Sequence, residues 1–143
     1  METKLQSLLR FGGVEIYYVS LQAEKPNAER DERKIQFDIK AGYFHPEERT
    51  DIFRVDMDVE VKVEHYFAIR IRASAPFHIH ESADEAQRKS FINVNAPAIM
   101  FPYVRAFIQS LTNNCGRAVP PVQLPPHSFS GDLPLIEPNA QAE

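Results

Sequence analysis

The chain has 143 residues, 43% of them hydrophobic and 25% charged, a length and balance that suit one soluble domain and exclude a disordered chain. Its 16 basic and 20 acidic residues leave a formal charge of −4, the wrong sign for a generic phosphate-backbone binder, so no nucleic-acid partner is expected. The one cysteine, Cys115, excludes an intrachain disulfide framework or a multi-cysteine metal site and fits a cytoplasmic address.

In chain order, residues 1–13 contain no apolar stretch of signal-peptide length. No later apolar run approaches the roughly 18 residues of a membrane span, so direct membrane insertion is not expected. The first strand is predicted over 14–23, with Val14, Ile16 and Tyr18 on one face and Tyr17, Val19 and Leu21 on the other. Residues 24–33 are polar, contain Pro26-Asn27 and read as a loop. The second strand, 34–44, alternates Ile35, Phe37, Ile39, Ala41 and Tyr43 against Gln36, Asp38 and Lys40. A second loop, 45–50, opens with His45-Pro46.

Over 51–64 the odd positions include Phe53, Val55, Met57, Val59, Val61 and Val63, and the even ones include Arg54, Asp56, Asp58, Glu60, Lys62 and Glu64. That is a strand with one buried and one wet face, the antiparallel pattern. Residues 67–79 repeat it through Phe67, Ile69, Ile71, Ala73, Ala75, Phe77 and Ile79. Pairing Val63 with Phe67 closes a three-residue loop of Glu64, His65 and Tyr66 and sets Glu60 opposite Arg70 and Asp58 opposite Arg72. Opposite charges in such cross-strand pairs contribute a few tenths to about 1 kcal/mol each.

The period then changes. Residues 84–93 read as a short polar helix, with Ser82 as N-cap and Glu85 three residues on. Asn95 is expected to cap a second helix with Pro97 in its first turn. Val104, Phe107, Ile108 and Leu111 follow at helical spacing, and Pro102 should bend the helix near its start. The string Asn113-Asn114-Cys115-Gly116 supplies the stop. Six of the 11 prolines lie between Pro120 and Pro138, which makes that segment largely extended; residues 139–143 are expected to fray. The expectation is an α+β fold: a four-stranded antiparallel sheet, β-β-β-β-α in chain order, with helices packed on one face. It forms one domain, 1–143, with a core over 13–129 and a proline-containing tail over 130–143.

Residues able to do chemistry are few. His78-Ile79-His80 puts two imidazoles on one strand face, with Glu81 adjacent: either the seed of a metal site or two solvent-facing histidines at a strand end. His45, His65 and His127 are isolated, and Cys115 sits in a helix-terminating turn without a cysteine-enzyme signature. No Gly-rich phosphate loop or Ser-centred elbow occurs, so no catalytic or metal site is expected. Tyr17, Tyr66, Phe91, Phe101, Tyr103 and Phe129 fall outside the periodic core faces. They either fill a core or oligomer interface or line an apolar groove for other chains.

At Pro97-Ala98-Ile99-Met100-Phe101-Pro102-Tyr103-Val104-Arg105 the sequence resembles the SecB family of protein-export chaperones. There a Pro-x-Ile-Leu-Phe-Pro-Tyr-Ala-Arg string opens the long helix. The resemblance continues through Val122-Gln123-Leu124-Pro125-Pro126-His127-Ser128-Phe129, similar to the family's crossover loop, and reaches back to Glu24-x-Pro26-Asn27-Ala28. It implies a four-stranded antiparallel sheet with helices on one face, dimers that pair through helices into a tetramer, and grooves that hold non-native polypeptide without nucleotide or metal. Carried onto this chain, it places the client groove at Phe37, Phe101, Tyr103, Leu124, Pro126 and Phe129.

The resemblance also implies a docking face for the SecA motor, built from acids on the outer sheet face. Glu24 matches one of them, but Ser20 stands where the family has an aspartate, and the family's Leu-x-Glu reads Ala68-Ile69-Arg70. An acid replaced by a base predicts that SecA docking is lost while client binding survives. The family's last helix has no counterpart, because Gly131, Pro134 and Pro138 interrupt the chain after Phe129. The expected function is a cytoplasmic SecB-like holdase for unfolded or secretion-bound polypeptides. The alternative is a dedicated chaperone for one partner, such as an antitoxin. A metal- or thiol-dependent enzyme rests only on His78, His80 and Cys115.

Overall fold

The computed structural model describes residues 8–24 and 35–137; the loop expected around Pro26-Asn27, the terminal residues 139–143 and Pro138 lie outside the described residues. Five strands, β1 (Leu9–Phe11), β2 (Glu15–Ala23), β3 (Gln36–Phe44), β4 (Ile52–Val63) and β5 (Phe67–Ile79), form one sheet of order β1-β5-β4-β3, with β2 also on β5. Every pairing between them is antiparallel. β1 and β2 lie end to end along the same edge of β5, opposite Phe77–Ile79 and Phe67–Ser74 respectively. They amount to one edge strand broken at Gly12-Gly13, which is why the expected four strands become five.

The break has a local cause. Pro76 of β5 has no amide to offer a ladder, and a Cβ on Gly12 would stand 2.8 Å from its Cγ. Gly12 instead donates its amide to the Pro76 carbonyl at 2.9 Å, and Gly13 turns the chain with φ +93°.

The β4–β5 hairpin has the register its charges predict: Val63 faces Phe67, Glu60 faces Arg70 and Asp58 faces Arg72. The Glu64–Tyr66 turn carries His65 at φ 72°. β2 departs from simple alternation. Its register on β5 shifts between Ile16 and Tyr18, so Tyr17 is the extra residue of a β-bulge. Ile16, Val19 and Leu21 consequently lie opposite Ala73, Ile71 and Ile69, while Tyr18 lies opposite Arg72. Tyr18 is therefore on the polar face rather than with Ile16, and the expected split of this strand is corrected.

The odd residues of β4 and β5 are buried beneath the helices, except the half-buried Val63 at the hairpin end, with Phe53, Met57, Ile71 and Phe77 essentially inaccessible. The helical layer is one continuous stretch: α1 (Glu85–Ser90), a π-helical turn (Phe91–Asn95) and α2 (Ala96–Asn113). Asp84, not Ser82, is the N-cap; its carboxylate accepts from the Gln87 amide at 2.7 Å and Gln87 Oε1 accepts from the Asp84 amide at 2.9 Å. Nor does Asn95 cap a second helix, for its backbone is α-helical and its side chain makes no capping bond. Pro97 cannot donate to the carbonyl four residues back, and the chain widens by one residue just before it, with the Ala96 amide bonded to the Phe91 carbonyl.

Met100, Phe101, Val104, Ile108 and Thr112 of α2 are buried against the sheet. The stretch Glu85–Asn113 is long and apolar enough to cross a membrane by length and composition, but these buried side chains belong to the core under the sheet. After Asn113 and Gly116 (φ +61°) the chain continues without helix and inserts Val119, Val122 and Leu124 into the same core. Thr112 ties this segment to α2: its hydroxyl donates to the Ile108 carbonyl and accepts from the Val122 amide, both at 2.9 Å. Further on, Leu133 donates its amide to Asn93 Oδ1 at 2.8 Å. The chain then meets the free edge of β3, where Leu135 pairs in parallel with Tyr43.

Candidate functional site

Helical spacing divides α2 into two sides. Phe101 points into the core, while Ile99 (37% exposed) and Tyr103 (54% exposed) face outward. Against the Phe101 ring lie two side chains of the segment after the helix, His127 at 5.9 Å and Phe129 at 6.0 Å between centroids, both edge-on. His127 and Phe129 also meet edge-on at 4.7 Å. Rings meeting edge to face contribute about 0.5–1.5 kcal/mol beyond the area they bury. This small cluster holds the loop against the helix. Tyr103 meets Phe11 at 5.3 Å between centroids with the rings tilted by 40°, and Phe11 in turn touches Phe77 at 5.3 Å.

The structure brings only some of the six expected groove residues together. Phe101 and Phe129 touch. Leu124 is buried in the core, and Pro126 is exposed in the same loop. Phe37 is apart from them: it pairs with Val61, whereas Tyr103 reaches the opposite end of the sheet through Phe11 and Phe77. Phe77 pairs with Phe53, and eight residues of β4 from Val61 to Phe53 span about 27 Å. A chain touching both Phe37 and Tyr103 must therefore be extended. Phe11 and His127 belong to this surface and were missed by the sequence reading. Phe11 precedes the first predicted strand, and His127 reads as isolated until the loop folds back.

The opposite, outer face of the sheet is charged and internally paired. Arg70 binds Asp58 through two bonds of 3.0 and 2.6 Å, with Glu60 farther off at 3.7 Å. Directly opposite in register is thus not closest in space, since the long guanidinium reaches the diagonal neighbour. The bidentate bond holds the Asp58 carboxyl below its ordinary value and raises Arg70. Arg72 lies over the Tyr18 ring at 5.3 Å, and Arg54 bonds Glu15 and Ser74, both at 3.0 Å. The bulge delivers Tyr17 to this face, where burial and then Asp56 push its phenol pKa up. A pocket of about 460 Å³ beside it is lined by Lys40, Asp56, Arg72, Pro134 and Ile136 among others.

The histidines do not converge. His78 Nε2 lies 3.5 Å from Asp51, whereas His80 Nδ1 pairs with Ser82. Among the described residues no group of three or more His, Cys, Asp or Glu side chains could hold a metal ion. Cys115 is half-buried, its thiol donating to the Leu111 carbonyl at 3.1 Å.

The family model described as the preprotein translocase subunit SecB matches residues 10–131, from β1 through the loop after α2. The chain belongs to the SecB family. SecB-family proteins are chaperones, not enzymes. A Mycobacterium tuberculosis SecB-like chaperone, solved with a ChAD peptide from the HigA1 antitoxin, superposes with a TM-score of 0.65 at 14% identity. That superposition covers 88% of this chain and 92% of the other, so the fold is shared almost throughout. An uncharacterised protein of Methanocaldococcus jannaschii is 33% identical over 90 residues, which is 63% of this chain. The match spans half the length of that relative.

Of the residues that the resemblance singles out on the sheet, Ser20, Ala68 and Arg70 share the outer face. Ser20 pairs with Arg70, and Ala68 is two pairs farther along, opposite Gln22. Glu24 follows β2 and donates its amide to the Tyr66 carbonyl at 2.7 Å. The basic replacement in this group, Arg70, is already engaged by Asp58.

Proposed function

We propose that this protein is a holdase that captures extended, non-native polypeptide on the helical side of its sheet and does not dock the SecA motor. The observation that carries this is the exposure of Ile99 and Tyr103 on α2, next to the Phe101–His127–Phe129 cluster, in a SecB-family chain. Burying a side chain of this size stabilises a complex by about 1.5–3 kcal/mol, so the roughly 8 kcal/mol of micromolar capture needs about three to six such contacts even before the entropic cost of association. Copies of the chain associate into dimers of dimers through the rest of the outward side of this helix, toward the exposed Ala106 and Ser110.

The outer face supports the second half of the reading. SecA docking in the family uses acids there, and here Ser20 and Arg70 stand in the places of two of them, with Ala68 in place of a leucine beside them. A dedicated partner, such as an antitoxin segment, is the alternative. It is favoured by the similarity to a SecB-like chaperone solved with an antitoxin peptide and by the altered outer face.

The test is to titrate a fluorescent, permanently unfolded protein and a SecA motor separately against the wild type. Tyr103→Ala and Phe129→Ala should each weaken capture of the unfolded protein about tenfold, and Arg70→Glu should leave it nearly unchanged. Tight SecA binding by the wild type, or unchanged capture by both aromatic variants, would overturn the proposal. Sequencing the polypeptides trapped by the protein in its own cells separates general from dedicated binding.

A further inference from the structure

We propose that residues 133–136 are an internal competitor for the outer edge of β3, and that an extended strand of a client polypeptide displaces them to pair along that edge. This rests on the holdase reading above and adds a device that regulates access. β3 is the last strand in the sheet order. Tyr43 turns its backbone outward, donating to the Pro134 carbonyl at 3.0 Å and accepting from the Ile136 amide at 2.8 Å. Because a strand alternates with period two, residues 37, 39 and 41 present their amides and carbonyls to the same side. Among the described residues no backbone group bonds them there.

The segment fills little of what the edge offers. It uses one residue's donor and acceptor out of four such residues, 37, 39, 41 and 43. Pro134 has no amide to lengthen the ladder, and the chain just before it bends away to Asn93, which accepts from Leu133. Leu135 is 68% exposed, so its side chain adds little to the hold. A client strand without proline satisfies more of the edge, and Ile35 and Phe37 (37% exposed) supply apolar contacts alongside it. Open edges of this kind are templates for strand addition.

Gly42 makes the hold on the segment separable from the sheet. A Cβ there would stand 2.5 Å from Ile136 Cγ2 and 3.2 Å from the Pro134 carbonyl oxygen. Gly42→Ala should expel residues 133–136 while β3 stays paired to β4, and Asn93→Ala should loosen the same segment from its other anchor.

The probe is a fluorescein-labelled ten-residue peptide of alternating valine and threonine, with a second version N-methylated at alternate backbone amides. Both are titrated against full-length wild type and the two variants, with amide hydrogen exchange at Ile136 as the report of release. A segment docked about nine-tenths of the time lowers apparent affinity about tenfold, so each variant should bind the parent peptide about tenfold more tightly. The N-methylated peptide should show no gain. Unchanged affinity in both variants, an equal gain for the N-methylated peptide, or an Ile136 amide still protected in both variants would overturn the proposal. If the wild type captures an unfolded protein but no variant binds the peptide, the edge proposal fails and the holdase reading stands. If neither probe is bound, both fail.

Discussion

Thr112→Val tests how the segment after α2 is held in place. The hydroxyl is buried and bridges the two elements, donating to the Ile108 carbonyl and accepting from the Val122 amide at 2.9 Å each. Valine has nearly the same shape, so the change removes the hydroxyl without opening a cavity. Ile108 keeps its carbonyl acceptable to the helix, but the buried Val122 amide loses its partner. Leaving a buried donor unsatisfied costs about 1–3 kcal/mol, and we take about 2 kcal/mol here. For a domain of this size that lowers Tm by roughly 8 °C.

The urea midpoint should fall with an unchanged slope, since the surface exposed on unfolding is the same. Hydrogen exchange at Val122 should accelerate beyond the global effect. Because Leu124, His127 and Phe129 follow directly, capture of the unfolded reporter should weaken as well. Thr112→Ser keeps the hydroxyl and serves as the control: it should retain the Val122 protection. A valine variant within about 0.5 kcal/mol of the parent, or serine and valine variants that exchange Val122 equally fast, would refute the reasoning.

Asp58 should give stability an acid limb. Its carboxyl is held below the ordinary value by the Arg70 hydrogen bonds, so the contribution is fully present above the unfolded value of about pH 4 and is lost as pH falls through the lowered folded value. Asp58→Asn should therefore be less stable than wild type at pH 7, with the gap between their urea midpoints closing below about pH 4; a constant gap would contradict the assignment. Light scattering at micromolar concentration should report an assembly larger than the 16.4 kDa protomer, reduced by Ala106→Arg on the exposed side of α2; a monomeric wild type would rule out association through α2. Gly12→Val should destabilise the edge strand, because its side chain would meet Pro76, and amide exchange should rise first in β1 and not in β4.

Much of this molecule is legible residue by residue. The β4–β5 hairpin is closed by three residues, so its register depends on nothing remote, and alternation plus the Glu60/Arg70 and Asp58/Arg72 pairs suffices to place it. The Phe-Pro-Tyr string of α2 and the loop through Phe129 carry the family resemblance, and the family match covers both. Errors begin where a second element decides. Tyr18 looks apolar-facing until the bulge, whose existence depends on how β2 meets β5, turns it toward Arg72. Asn95 reads as a cap because Pro97 follows, yet packing of Phe91, Ile92 and Ala96 on the sheet carries the helix through a π turn.

Which faces of β4 and β5 are buried, where the long helix stops and which family the chain belongs to follow from the order of side chains alone, since each rests on neighbours within a turn or a hairpin. The tertiary structure alone decides that Arg70 chooses Asp58 over Glu60, because a guanidinium binds where two oxygens come within reach and not where register places one. It alone brings His127 between two phenylalanines and residues 133–136 onto Tyr43, contacts that close loops too long for any local pattern to encode.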